Sequence, residues 1–325
     1  MPDPVTLPGP TVWILTDGKA GDEQPLIGIA EQMGVVPSLR HVAPRKPFAL
    51  LMPWGPIDPK DHPGKPGSPL TGPAPDICLA TGRRAVAYLR ALKRRSPGTL
   101  TVFVKDPRTR RHGADLVVVQ SHDRLAGRDV MVVTTAPNRI SVARLDAIRQ
   151  APPTSLAALP APRLAVLIGG NSRHHRFEPG DIDRLISGLA DRLDAGASLM
   201  ITASRRTPDA LKTALTDLSK RPNTVFWDGT GDNPLVAYLA LADAVIVTAD
   251  STNMIGEAAA TGRPVQVFHP TGGHPKVSRF LASLGQQAAI GTFPDREAHD
   301  GYEAVNSTPG IAAAILSAWR ARIER

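Results

Sequence analysis

The chain is punctuated by short β-branched apolar runs, each followed by a polar loop and, in most cases, by an amphipathic helix. Repeated from residue 11 to residue 268, this order restricts the fold more than any other feature. A strand that is apolar throughout must be covered on both faces, and helices inserted between successive strands provide that cover through parallel crossovers. The expected fold class is α/β, with two doubly wound parallel-sheet, Rossmann-like domains.

The stretch ADAVIVTADSTNMIGEAAATGRPVQVF, residues 242–268, shows the repeating unit in full. Residues 244–247 read as a strand, Asp250 and Ser251 are N-cap types, and Gly262 with Pro264 stops the helix. At about 100° per residue, Met254, Ile255, Ala258 and Ala259 share one face, and Asn253, Gly256, Glu257 and Ala260 the other. A helix start carrying Asp250, Ser251, Thr252 and Asn253 offers free N–H groups and hydroxyls to a diphosphate. Glu257, a turn and a half further on, could accept both hydroxyls of a ribose. A plain capped helix with a solvated Glu257 is the other reading of the same residues.

The first unit of the pattern is TVWIL, then DGKAGDEQ, then the helix PLIGIAEQM, which stops at Gly34. Gly18 and Gly21 are expected to turn the backbone at the carboxyl end of the strand, where open α/β sheets bind ligands, and Asp17, Lys19, Asp22 and Glu23 crowd that turn. The third glycine of a dinucleotide fingerprint is missing. After a second strand near residues 38–43, residues 53–75 are dense in proline and glycine and read as a long surface excursion. Strands resume at residues 77–80, 100–104, 116–119 and 130–133. A helix at 141–150 closes a domain spanning residues 1–150, and the proline- and alanine-rich residues 151–162 read as a linker. A second domain, 163–325, follows, its last helix at 311–323 packing back on the first domain.

In the second half, each strand end again carries candidate ligand-binding groups. Gly169, Gly170, Asn171 and Ser172 could wrap phosphate with backbone N–H groups, and Arg173, or Arg205 and Arg206 in the loop with Ser204, could add charge-assisted bonds. Several such loops in one half-chain point to a nucleotide or nucleotide-sugar site. His174 and His175 are adjacent and lack companions with metal-ligand spacing, so no metal and no cofactor are expected.

Composition narrows the partners. The net charge of +8 admits anionic partners, among them phosphorylated small molecules and an anionic membrane surface. No zinc-finger, helix-turn-helix or aromatic ribonucleoprotein pattern accompanies the arginines, so nucleic acid is not expected. The lone cysteine, Cys78, lies in an apolar run and reads as a small buried hydrophobe. With no long apolar run and no leader pattern, a cytoplasmic location is expected.

Six ordered motifs, WILTDGKAGDEQPLIGIAEQMG, VKDPRTRRHGADLVVVQSHDRL, TTAPNRIS, LIGGNSRHHRF, TASRRTP and VTADSTNMIGEAAATGRPVQVF, together resemble the elongated-mitochondria, or mitochondrial fission, family. The second half is similar, more distantly, to the donor domain of GT-B glycosyltransferases. That resemblance implies a diphosphate near Gly169 and Gly170, a base near Trp227 and Asp228, and a ribose and diphosphate at Ser251, Thr252, Asn253 and Glu257. It further implies a cleft between the domains and sugar transfer from a nucleoside diphosphate donor to an acceptor, with Arg205 stabilising the departing diphosphate and Asp17 as acceptor base. The corresponding glycine turn of that family carries a histidine, which DGKAGD lacks. A non-catalytic nucleotide-binding or membrane-surface adaptor and a sugar-nucleotide epimerase are the alternatives.

Overall fold

The computed structural model describes residues 9–295 and 301–324. Its chain divides into two compact units, residues 1–139 with 307–325 and residues 140–306.

The first unit runs β1 (Val12–Thr16), α1 (Ala20–Gln32), β2 (Ser38–His41), α2 (Lys46–Leu51), β3 (Ile77–Ala80), α3 (Ala85–Arg95), β4 (Leu100–Val104), β5 (Leu116–Gln120) and β6 (Val130–Val133). Its strands form one sheet in the order β2-β1-β3-β4-β5-β6, parallel throughout. VWILT, ICLA and LTVFV are buried at every residue because helices cover both faces. On one face Val12, Ile14 and Val102 pack with Leu26 and Ile29 of α1; on the other Trp13, Leu15 and Phe103 pack with Val86 and Leu89 of α3. Cys78 is fully buried there, and burial pushes its thiol up.

The excursion at residues 53–75 is tied down by polar groups. The buried Asp58 accepts from the guanidinium and the amide of Arg45, Tyr88 donates its hydroxyl to Asp61, and Leu70 is fully buried.

The second unit runs α4 (Val142–Gln150), α5 (Thr154–Ala157), β7 (Arg163–Leu167), β8 (His175–Arg176), α6 (Pro179–Asp194), β9 (Ser198–Thr202), α7 (Asp209–Leu218), β10 (Thr224–Trp227), α8 (Leu235–Leu241), β11 (Ala244–Thr248), α9 (Thr252–Ala259), β12 (Val265–Phe268), β13 (Thr271–Gly272), α10 (Pro275–Leu284) and β14 (Ile290–Phe293). Its parallel sheet has the order β10-β9-β7-β11-β12-β14, and β8 and β13 form a separate antiparallel ribbon. Gly188 of α6 lets the helix approach the sheet, since a Cβ there would lie 2.9 Å from the Phe293 ring.

Two boundaries differ from the sequence reading. The helix α4 belongs to the second unit rather than closing the first, because Leu145 and Ile148 pack in the cluster that contains Tyr238 and Leu239 of α8. Residues 151–162 are not a linker between units: they carry α5, whose Leu156 is buried in that same cluster. The last helix, α11 (Thr308–Ile323), lies in the first unit, where Ile311, Ala312 and Ile315 pack beside Leu26, Ile29 and Ile14. Thr308 Oγ1 accepts from the Asn138 amide at 2.9 Å, and Arg322 pairs with Asp115 at 2.9 Å.

Ile315→Ala should cost about 2–5 kcal/mol, the usual range for such a truncation at a fully buried site. Amide hydrogen exchange should then quicken in β1, β3 and β4 and stay unchanged in the sheet of the second unit; equal loosening of both sheets would show that α11 is not integral to the first.

Candidate functional site

In each sheet the chain winds outward in two directions from a central strand. The reversal falls between β1 and β3 in the first sheet and between β7 and β11 in the second. The crevice beyond the carboxyl ends of such a strand pair is where open α/β sheets bind ligands.

In the second unit that crevice is held by one carboxylate. Asp250, fully enclosed, accepts from Thr248 Oγ1 at 2.7 Å, from the Gly170 amide at 3.0 Å and from Arg206 Nη2 at 2.8 Å. Thr248 Oγ1 in turn accepts from the Gly169 amide at 2.8 Å. Ser204 and Thr207 both donate to the Gly169 carbonyl, and the amides of Asn171 and Ser172 donate to the carbonyls of Arg206 and His175.

This geometry corrects the reading of the glycine loop as a phosphate cradle. The amides of Gly169, Gly170, Asn171 and Ser172 are all engaged within the protein. The two glycines are required for close approach instead: a Cβ on Gly169 would lie 2.2 Å from the Asp250 carboxylate, and one on Gly170 2.0 Å from the Arg206 carbonyl. Asp250, Arg206 and Ser204, expected as ligand groups, are likewise committed to holding these loops together.

Other groups near the crevice are left without protein partners. Ser251 caps α9 by accepting from the Met254 amide at 3.4 Å, while the amides of Thr252 and Asn253, in the first turn, have no acceptor within the helix. Arg205 is exposed and has no hydrogen-bond or ionic partner among the described residues. Glu257 is half-buried on α9, also without a partner among the described residues, and burial pushes its carboxyl up to about 7. Its surroundings are therefore not those of a solvated surface glutamate.

Trp227 and Asp228 stand at the end of β10, two strands from β7, or about 10 Å at ordinary strand spacing. Both are held locally: Trp227 donates its indole N–H to the Thr230 carbonyl, and Asp228 accepts from the Thr230 amide and hydroxyl, bonds that hold its carboxyl below the ordinary value. Beside the crevice the ribbon brings the rings of His174 and His274 to 4.2 Å, and burial holds the neighbouring His175 below its ordinary pKa. Among the described residues no group of three or more His, Cys, Asp or Glu side chains is arranged to hold a metal.

The crevice of the first unit collects groups that the sequence reading took one at a time. Gly18 makes the turn after β1 with φ at +79°, but Gly21 lies inside α1, which begins five residues earlier than the sequence pattern suggests. The Lys19 carbonyl accepts from the amides of Asp22 and Glu23, and these two acids suit the positive end of the helix. Asp17 is paired with Lys19; burial works to raise its pKa, but the lysine hydrogen bond and charge prevail and lower it. Lys105, whose backbone has φ at +84°, pairs with Asp22.

The sequence reading missed His41. Its Nε2 lies 2.7 Å from Glu23 Oε2, and its ring sits against Gly18, where a Cβ would be 3.6 Å away. A histidine thus borders the glycine turn after all, supplied by the end of β2.

The profile of one protein family, described as Mitochondrial fission ELM1, matches residues 20–319. The Mitochondrial fission protein ELM1 of Arabidopsis thaliana is 28% identical over 276 residues, covering 76% of this chain and 65% of that protein. An uncharacterised protein of Rickettsia prowazekii (strain Madrid E) is 36% identical over 112 residues, 33% of this chain and 31% of that one. The matches thus span less than two thirds of either relative. Among solved structures, the UDP-GlcNAc 2-epimerase of Neisseria meningitidis bound to UDP-GlcNAc superposes with a TM-score of 0.51 at 11% identity, over 96% of this chain and 92% of that one. The UDP-GlcNAc 2-epimerase of Methanocaldococcus jannaschii does so with a TM-score of 0.51 at 12% identity, over 94% and 99%. At such identities the likeness is one of fold, the two-domain GT-B class.

Asp250→Ala should destabilise the second unit by about 3–5 kcal/mol, because it strands the Gly170 amide, the Thr248 hydroxyl and Arg206 together. Arg205→Gln, at a side chain with no partner, should stay within about 0.5 kcal/mol. Thermal unfolding followed by amide exchange in β7, β9 and β11 measures both.

Proposed function

Since the chain belongs to the mitochondrial fission ELM1 family and has a GT-B-like fold, we propose that its second unit binds a nucleoside diphosphate or nucleotide sugar and that the protein transfers the sugar to an acceptor. The observation that carries this reading is Glu257: a desolvated carboxylate without a partner, on the helix whose open first turn begins beyond β11. Two vicinal hydroxyls of a ribose would supply the hydrogen bonds that the protein withholds. The diphosphate would lie against the amides of Thr252 and Asn253 and the free guanidinium of Arg205.

These groups suit the chemical step. As the bond between the anomeric carbon and the diphosphate breaks, the electron pair goes to the diphosphate, and donors aimed at that oxygen stabilise the charge where it develops. The acceptor hydroxyl bonds to the anomeric carbon and must lose its proton. Asp17, expected to take it, is held ionised by Lys19 and is a weak base. Within the crevice of the first unit His41 is the better base of the two: with Nε2–H donating to Glu23, its Nδ1 carries the lone pair.

Glu257→Gln should weaken nucleoside diphosphate binding by roughly 1.5–3 kcal/mol, the worth of a hydrogen bond to a charged group. The 2′,3′-dideoxy analogue should bind wild type and variant alike in the same calorimetric titrations; if wild type does not distinguish the two nucleotides, the ribose assignment fails. Stability adds a second readout. A carboxyl raised from 4.5 to about 7 favours the folded state fully below pH 4.5, and that contribution is lost as the pH rises through 7. Without ligand, Glu257→Gln should therefore melt higher than wild type at pH 8, with the difference closing toward pH 4.5.

A further inference from the structure

The first unit carries an apolar surface that its core does not use. Leu50 and Leu51 end α2, and Trp54 follows three residues later; they are 75%, 52% and 69% exposed. Isolated exposed apolar side chains are ordinary, but three within five residues, one of them tryptophan, make a patch.

The patch is rigidly mounted. Met52, between Leu51 and Trp54, is fully buried and occupies the core position that either neighbour would otherwise seek. The amides of Trp54 and Gly55 both close on the Leu51 carbonyl, at 3.0 and 2.8 Å. A Cβ on Gly55 would lie 2.5 Å from that of Leu51, so glycine is needed for the turn to close.

The charges beside it are of one sign. Arg90 reaches from α3 to the carbonyls of Trp54 at 3.1 Å, of Gly55 and of Arg111 at 3.0 Å. Arg94 and Arg111 are its charged neighbours, and Arg83 reaches the Ala49 carbonyl at 3.4 Å. The sequence of α3 contains no acid. Among the described residues, Arg83, Arg90, Arg94 and Arg111 have no carboxylate partner, and acids of this unit are used by other groups: Asp58 by Arg45, Asp61 by Tyr88, Asp115 by Lys93. Lys93, on the same helix, is by contrast paired with Asp115 at 2.8 Å.

We infer that this face docks on an anionic lipid bilayer, with Leu50, Leu51 and Trp54 entering the headgroup and acyl boundary while the exposed Arg83, Arg94 and Arg111 meet lipid phosphates and Arg90 holds the turn. Tryptophan is favoured at that depth, and basic side chains near an anionic leaflet each add to binding. The attachment lies on the surface, since among the described residues no helix is long and apolar enough to cross a membrane.

Co-sedimentation of the full chain with vesicles of phosphatidylglycerol and phosphatidylcholine tests this. Binding should be strong at low salt, fall in about 0.5 M salt, and be weak to phosphatidylcholine alone. The triple change Leu50→Ser, Leu51→Ser and Trp54→Ser should reduce binding about tenfold or more without lowering the melting temperature, because these side chains are exposed. Arg94→Gln and Arg111→Gln should each reduce it about fivefold. No binding by wild type, equal binding to neutral vesicles, or binding indifferent to both sets of changes would overturn the assignment. A concentration-dependent dimer abolished by the triple change, with no vesicle binding, would give the face to a second copy of the chain.

Discussion

The Asp250 carboxylate is the fixed point of the second unit. It joins three loops that the sheet alone would leave apart: its own after β11, the glycine loop after β7 through the Gly170 amide, and the loop after β9 through Arg206. A buried carboxylate is tolerated because both of its oxygens meet donors, one of them a guanidinium, and such a network admits one arrangement. The two glycines follow from it, because no side chain fits beneath the carboxylate or against the Arg206 carbonyl. So does the division of labour along the crevice. Groups needed to hold the loops are spent on one another, and a ligand is left with those the network does not use: the first amides of α9, Arg205 and Glu257.

How much of this could be read in advance depended on range. Strands such as VWILT, ICLA, SLMIT and VQVF were visible because parallel sheets covered on both faces bury every residue, and a run of apolar residues needs no partner to be recognised. The edge strand β14, IGTF, is only partly apolar, and the two-residue ribbon strands β8 and β13 are too short to show any period. Local pattern also found the helix α4 without saying what it packs on. That is decided by Tyr238 and Leu239, some ninety residues further along the chain, and the unit boundary was misplaced accordingly.

The candidate site divides in the same way. Both central strands end in a buried threonine closely followed by aspartate, in ILTDG and IVTADS, and in each case the threonine oxygen accepts an amide: that of Gly18 from Thr16, that of Gly169 from Thr248. This parallel lay in the sequence and marks the two crevices. The pairing of Glu23 with His41 did not, since it depends on the β1–β2 register that sets His41 opposite Thr16, and on α1 starting at Ala20 so that Glu23 reaches both. A glycine turn lacking its histidine in sequence had one in space.

Two carboxylates near the crevices are pushed in opposite directions, and the contrast argues for their roles. Asp17 is partly desolvated, yet Lys19 more than offsets that burial, so its proton affinity falls and its charge is fixed in place. Glu257 is desolvated with nothing to offset it, and its proton affinity rises to the neutral range. A chain selected only to fold would gain by replacing Glu257 with glutamine or alanine, as the helix asks nothing of a charge at that position. Structural acids here are matched: Asp250 with Arg206, Asp181 with Arg184, Asp58 with Arg45. An acid left unmatched beside an open helix start is the exception, and a ligand that brings its own hydroxyl donors is what turns that cost into affinity.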